Sequence, residues 1–429
     1  MVSTRRDSLL YLIGAAVQGL AAVVVQPFSI RLFGGVRSEG WETTAFAVAV
    51  MQVGIVVLSA GLPLAITRAW LEPDGGPLKA RAINGFNGLF ALVLAVLGCL
   101  GAWIAGVDPA LVCAVWSMGG LAVVLAAQAQ LRSQGRPLTF VALAGGSSLG
   151  AHLLGLVSIV LFHPTAGHFM GGFALASTLT ALAALLVTRP TWPSRAREAV
   201  KTAVVAGLPL LPHSLAMILL SQGDAMLLRA VAPPGDTGVY LAAAVFALGP
   251  VAVLAGLNNA WSPAIMKAAH HSAEQFRGTV AATMKNAVLV ATGVSVLGSL
   301  GAWLGVLVIA GGNHETTRIA AVLPIVGIGY ALYLVAMSVL FARLATKSFA
   351  WLTLGVVLVS GLAAWWPAAH GALVAVAAVK AGAFALLGLG YAAVARARTP
   401  LPLGRWALGL ALAAAVAALT LAVLSLLGA

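Results

Sequence analysis

Charge is scarce in this 429-residue chain. Asp and Glu number 11 and Lys and Arg 24, together 8% of the residues, against about 25% in an ordinary soluble domain. Apolar residues make up 61% and the mean hydropathy is +1.03. So few charges cannot cover a water-facing surface of this size. The bulk must face lipid, which makes the chain an all-α, polytopic membrane protein. Only two cysteines are present, Cys99 and Cys113, both inside apolar runs. They read as packing residues, not a disulfide framework. No Gly-Lys dipeptide occurs, which excludes a P-loop and with it ATP hydrolysis by this chain. No His/Cys/Asp/Glu cluster has metal-ligand spacing, and no Gly-x-Ser-x-Gly nucleophile elbow is expected. Neither a bound cofactor nor enzymatic activity is expected.

What the chain does have is long apolar runs. A helix needs about 20 apolar residues to cross a bilayer. Residues 9–30, 43–67, 82–107, 109–131, 237–266, 286–314, 319–342 and 406–429 carry no Asp, Glu, Lys or Arg. Residues 137–188 are also charge-free but too long for one helix, and the stretch His163-Pro164-Thr165-Ala166-Gly167-His168 predicts a hairpin that divides them. Residues 202–231 hold one interior charge, Asp224. Residues 348–395 hold one, Lys380, and are expected to divide at Trp366-Pro367. The expected total is about 13 transmembrane helices, joined by connections too short for a soluble catalytic domain.

With the N-terminus in the cytoplasm, nineteen Lys and Arg fall on the inner side. Four, Arg31, Arg37, Arg229 and Arg318, fall on the outer side, and Lys380 lies within the membrane. This is the positive-inside pattern, and it predicts a multi-pass protein of the plasma (inner) membrane. The net charge of +13 then needs no nucleic-acid partner; the anionic lipids of the inner leaflet account for it.

An internal repeat shows at an offset of 198 residues. Arg31 precedes Gly40 by nine residues, and Arg229 precedes Gly238 by nine. Each Gly opens an apolar stretch that ends on a cation, Arg68 or Lys267, 28 or 29 residues on. The repeat predicts a six-helix bundle over 1–190, a cytoplasmic linker over 191–201, a second six-helix bundle over 202–395, and one extra C-terminal transmembrane helix in 396–429. An even number of spans returns the chain to its starting side. The two bundles are therefore expected to be parallel, around a central cavity, as in known transporters.

Two charges remain inside the membrane, where each costs roughly 2.5–3.5 kcal/mol on insertion scales. Lys380 reads first as a cavity-lining cation for an anionic substrate near the midplane, and second as a structural partner of Asp224 or a carbonyl. Asp224 has three readings: a proton or sodium site, a partner for Arg229 or Lys380, or a hydrogen-bonding group for a sugar. Arg31 and Arg229 occupy matching helix ends, either snorkelling to the interface or facing the cleft as anion contacts. Pro209 and Pro212 each remove a backbone donor, so their helix should kink or break there. The neighbouring His213 either titrates or satisfies a freed carbonyl. Asn258 and Asn259 are buried polar groups, for interhelical hydrogen bonds or for the cavity wall. Gln18, Gln26, Gln52 and Gln128 read the same way, and His152 reads as a hydrogen-bonded interior histidine.

The run Gly207-Leu-Pro-Leu-Leu-Pro-His213, then Asp224, then Gly238-Val-Tyr-Leu-Ala-Ala243, then Trp261-Ser-Pro263 ahead of Lys267 resembles the polysaccharide (O-antigen-type) flippases of the multidrug/oligosaccharidyl-lipid/polysaccharide exporter superfamily. Pro27…Arg31-Leu-Phe-Gly34 and Gly61-Leu-Pro-Leu-Ala-Ile-Thr-Arg68 extend the likeness to the N-terminal half. The resemblance implies two six-helix bundles around a cavity. It also implies a polyprenyl-diphosphate-linked oligosaccharide, a cell-surface polysaccharide precursor, moved from the inner to the outer leaflet by alternating access. Polysaccharide-assembly enzymes would be partners, and a H+ or Na+ gradient a source of energy. Two departures stand out: Ala225 follows Asp224 where the family often has Arg, and 13 spans are expected where 12 or 14 are usual. The rival functions are a multidrug/toxin cation antiporter of the same superfamily, a peptidoglycan lipid-precursor flippase, and a membrane polysaccharide polymerase or glycosyltransferase.

Overall fold

The long charge-free runs become long helices. The computed structural model describes residues 5–269, 271–343 and 349–398, and among these there is no strand. In chain order the helices are α1 (Arg5–Leu32), α2 (Glu39–Ser59), α3 (Leu62–Trp70), α4 (Gly76–Ile104), α5 (Pro109–Ser133), α6 (Pro137–Gly145), α7 (Ala151–Leu161) and α8 (Ala166–Thr188). There follow α9 (Arg197–Gly207), α10 (Leu211–Val231), α11 (Asp236–Ala268), α12 (Ala273–Ala310), α13 (His314–Val322), α14 (Val326–Ala342), α15 (Phe349–Ala369) and α16 (Leu373–Arg398). Eleven membrane-length apolar helices are found among the described residues, counting α6–α7 and α13–α14 as one each, and α1 adds an apolar stretch over Ala16–Leu32. The chain is a multi-pass membrane protein. The stretch expected to cross at 406–429, the extra C-terminal helix, lies outside the described residues.

Several spans are less uniform than their sequence. The run 43–67 does not form one helix. Ala60 and Gly61 both adopt the left-handed conformation (φ +44° and +72°), which ends α2 and leaves Pro63 in the first turn of α3, where its missing N–H costs nothing. The turn between α15 and α16 is not at Trp366-Pro367. Pro367 sits in the last turn of α15, and the chain reverses at Gly371 (φ +68°), a conformation open to glycine. A five-residue π segment, Gly146–Gly150, joins α6 to α7. Its sequence Gly-Ser-Ser-Leu-Gly does have the Gly-x-Ser-x-Gly spacing, contrary to expectation. It lies inside a helix with no strand before it, and the Ser148 hydroxyl donates to the Gln18 carbonyl at 3.0 Å, so it is not a nucleophile elbow. Between α9 and α10 a 3-10 turn, Leu208–Leu210, carries Pro209.

The described chain forms two compact units, Met1–Gln222 and Gly223–Ala429. In the first, α5 lies at the centre, against α2, α3, α4 and α8. Polar side chains tie its helices together. Gln18 donates to Gln128 at 3.3 Å, Gln222 to Gln52 at 2.8 Å and Asn84 to Gln130 at 2.8 Å. His152 Nδ1 lies 2.9 Å from the Ser148 carbonyl. Cys99 and Cys113 are both free thiols.

In the second unit α14 is central, against α11, α12 and α16. Without a hydrophobic drive between helices in lipid, close approach depends on small residues, and α14 and α16 meet glycine to glycine. A Cβ on Gly329 would collide with the Phe384 backbone, and one on Gly388 with the Gly329 carbonyl. Gly329→Ala should therefore overpack the contact and cost about 1–3 kcal/mol, lowering the melting temperature in detergent. Gly355→Ala on α15, where a Cβ meets nothing within 4 Å, should not. Equal melting of the two variants would refute the close packing.

Candidate functional site

Asp224 lies seven residues before the end of α10, and Lys380 lies seven residues after the start of α16. At 1.5 Å per residue both sit about 10 Å from their helix ends. For Lys380 this follows from the start of α16 at Leu373. The equal depths let the two side chains meet. Lys380 Nζ donates to Asp224 Oδ2 at 2.8 Å, and the Tyr240 hydroxyl, from α11, donates to the same oxygen at 2.5 Å. Asp224 Oδ1 accepts from the Ala225 N–H at 3.0 Å. The Lys380 and Asp224 side chains are 8% and 10% exposed, and Tyr240 is fully buried.

The electrostatics follow from the burial. Either charge alone in a membrane-embedded site is costly, and together they form a neutral unit. The tyrosine hydroxyl occupies a further lone pair of the carboxylate, which a buried charge requires. Among the described residues Asp224 is the one carboxylate of a membrane-length helix that lies beyond the first two turns from its start.

Arg31 and Arg229 lie in the last turns of α1 and α10 and are exposed. Pro209 and Pro212 are exposed at the 3-10 turn and in the first turn of α10, and His213 beside them is half-buried. Asn258, on α11, is half-buried with its Oδ1 out of reach of solvent and of any hydrogen bond; the side chain of Asn259 lies outside the described residues. Of these residues the structure brings together Asp224 and Lys380. Tyr240 was not singled out beforehand, although it stands in the Gly238-Val-Tyr240 motif. Its position on the return helix after the short loop that follows Asp224 is the signal that points to it.

The backbone superposes on an inward-facing multidrug resistance MATE family transporter of the MOP superfamily with a TM-score of 0.69, over 90% of this chain and 98% of that one, at 15% identity. The chain has the MATE-type fold. An outward-facing multidrug resistance MATE family transporter matches with a TM-score of 0.64 at 16% identity, over 92% and 94% of the two chains. A MOP superfamily transporter from Pyrococcus furiosus, whose reversed pocket polarity suggests a different function for it, matches at 0.62 and 16% identity, over 92% and 95%. No protein-family model matches the sequence, and no curated protein does. At these identities the likeness is one of fold.

The buried pair makes a direct stability prediction. Lys380→Met leaves a buried carboxylate without its cation and should destabilise by about 3–5 kcal/mol, read as a lower melting temperature in detergent. Adding Asp224→Asn should restore most of that loss. A double variant no more stable than the single one would mean that the two charges do not depend on each other.

Proposed function

We propose that this protein is a secondary transporter of the plasma membrane, an antiporter that exports amphipathic organic cations against an inward flow of H+ or Na+. The observation that carries the proposal is the Asp224–Lys380 pair, a buried carboxylate whose charge is cancelled by a tethered ammonium. A MATE-type fold over nine-tenths of the chain supports the transporter reading, and the multidrug resistance transporters among its likenesses support the cation. Nothing in this mechanism requires an enzyme active site.

The chemistry is competition for one carboxylate. Lys380 stands in for the cargo: it holds the Asp224 site neutral while no cation is bound. A cationic substrate approaching Asp224 replaces the ammonium, which gives up its proton to the water of the opened site and stays as the neutral amine, with Tyr240 still holding Oδ2. A proton or sodium ion on Asp224 then cancels the negative charge and expels the cargo. Only one positive charge is accommodated at a time, and this exclusivity couples the two flows. Alternating access supplies the vectorial step.

A second reading is favoured by the motif likeness and by Lys380 itself. When a proton neutralises Asp224, the freed ammonium is able to meet an anionic headgroup. A polyprenyl-diphosphate-linked oligosaccharide is the cargo that such a site would flip, with polysaccharide-assembly enzymes supplying it. A peptidoglycan lipid precursor offers the same diphosphate. Both readings use the opening of the same pair and differ in which half of it receives the cargo.

Reconstitution distinguishes them. Proteoliposomes with an imposed pH or sodium gradient should move a fluorescent amphipathic cation, and Asp224→Asn should abolish the gradient-driven part. A fluorescent short-chain polyprenyl-diphosphate glycan serves as the second cargo, with Lys380→Ala as its variant. Movement of the glycan and not the cation, lost in Lys380→Ala, would transfer the assignment to the flippase. Cation flux equal to that of protein-free vesicles, or unaffected by Asp224→Asn, would overturn the antiporter.

A further inference from the structure

The first compact unit has a groove of about 520 Å³ lined by exposed leucines, within the roughly 300–1,000 Å³ usual for ligand sites. Its floor is α5 and its walls are α4 and α8. Glycines set the floor low: a Cβ on Gly119 would stand 2.7 Å from Ala95 Cβ of α4, and one on Gly120 would stand 3.1 Å from the Ser177 carbonyl of α8. The walls are apolar, with Leu89 and Leu92 of α4 facing Leu182 and Leu185 of α8. The polar groups along the run are spent on each other. The Trp116 indole N–H donates to Thr178 at 2.9 Å, and the Thr178 hydroxyl donates to the Ala174 carbonyl at 2.8 Å. Such a run offers nothing to a polar ligand.

The end of the groove is different. The segment after α8 closes it, and Thr191 passes so near α4 that only glycine fits at position 85. The Thr191 side-chain oxygen is buried there without a hydrogen-bond partner, an expensive state for a hydroxyl. Beside it is Arg195, exposed and in no ion pair among the described residues. Arg197 and Lys201 line an adjoining cavity that shares Pro193 with the groove. The apolar run from the level of Thr178 to the end of α8 at Thr188 is about 15 Å long at 1.5 Å per residue. That is half of a hydrocarbon core of roughly 30 Å, the depth of one leaflet.

We propose that this groove is a binding site for an anionic glycerophospholipid, one acyl chain lying along α5 and the phosphate held by Arg195. The length selects a chain that reaches from the interface to mid-bilayer, and the cation selects an anionic headgroup. The site does not depend on what the protein transports, and its test needs no transport.

The test is lipid retention by the purified full-length protein in native mass spectrometry, with phosphatidylglycerol and phosphatidylcholine of matched chains added in turn. The parent protein should keep one phosphatidylglycerol about fivefold better than one phosphatidylcholine, the worth of a single basic residue at an anionic headgroup. Arg195→Gln should erase that preference. Gly88→Leu should remove the bound lipid altogether: the nearest atom to a Cβ there is Leu185 Cδ2 at 3.9 Å, so the new side chain fills the groove without displacing the fold. Equal retention of the two lipids by the parent, or undiminished retention by Gly88→Leu, would overturn the proposal. Should Gly88→Leu not fold, phosphatidylglycerol with a photoreactive acyl chain decides on the parent protein. Label concentrated on the groove faces of α4 and α8 supports the site, and label spread evenly over the lipid-facing helices contradicts it.

Discussion

The second compact unit depends on one interaction, the ion pair between Asp224 and Lys380 within the membrane. Neither charge belongs in hydrocarbon alone, and neither helix that carries them has another interior charge to neutralise it. Burial makes the pair strong, and burial also makes it demanding. The 2.8 Å contact has to be kept whenever the site is closed, because an unpaired charge there costs several kcal/mol. A pair under that constraint has two stable conditions, internally matched or matched by something bound.

The packing holds the pair in reach. About two turns below Lys380, Gly388 lets α16 lie directly on the α14 backbone at Gly329. Thr353 and Tyr391 share a hydrogen bond at 3.0 Å, which fixes the same stretch of α16 to α15. Lys380 thus stands on a well-anchored helix. On the other side, α10 has Gln222 bonded to Gln52 within the first unit, and two residues later Asp224 bonded to Tyr240 and Lys380 within the second.

The spans were legible because lipid imposes a simple rule, the absence of charge over some twenty residues. The expected run 109–131 became Pro109–Ser133 and the expected run 82–107 became Gly76–Ile104. The features that were not legible depend on backbone geometry. Ala60 ends α2 in a left-handed conformation that alanine seldom adopts, and Pro367 is accommodated inside α15. Hydropathy is blind to both. The ion pair stood among several open alternatives. Its members are 156 residues apart in the chain, and only the exact start of α16 brings them to one depth. Tyr240 lay in a motif noticed for its likeness and not for its hydroxyl, since a tyrosine in an apolar run gives no sign of which acid it will meet. The groove of the first unit was hidden for a similar reason: glycines on α5 say that helices approach, but not that a groove is left between α4 and α8.

The most direct measurement is of the Asp224 carboxyl itself. Infrared difference spectra of the purified protein, with the band assigned by its loss in Asp224→Asn, report whether that group is ionised and what it faces. The account predicts an ionised, ammonium-paired carboxylate at rest, whose band shifts when a transported cation is added and converts to that of the neutral acid under a proton load. A band unmoved by cargo and by either coupling ion, while transport proceeds, would show the pair to be a static brace and would contradict the mechanism.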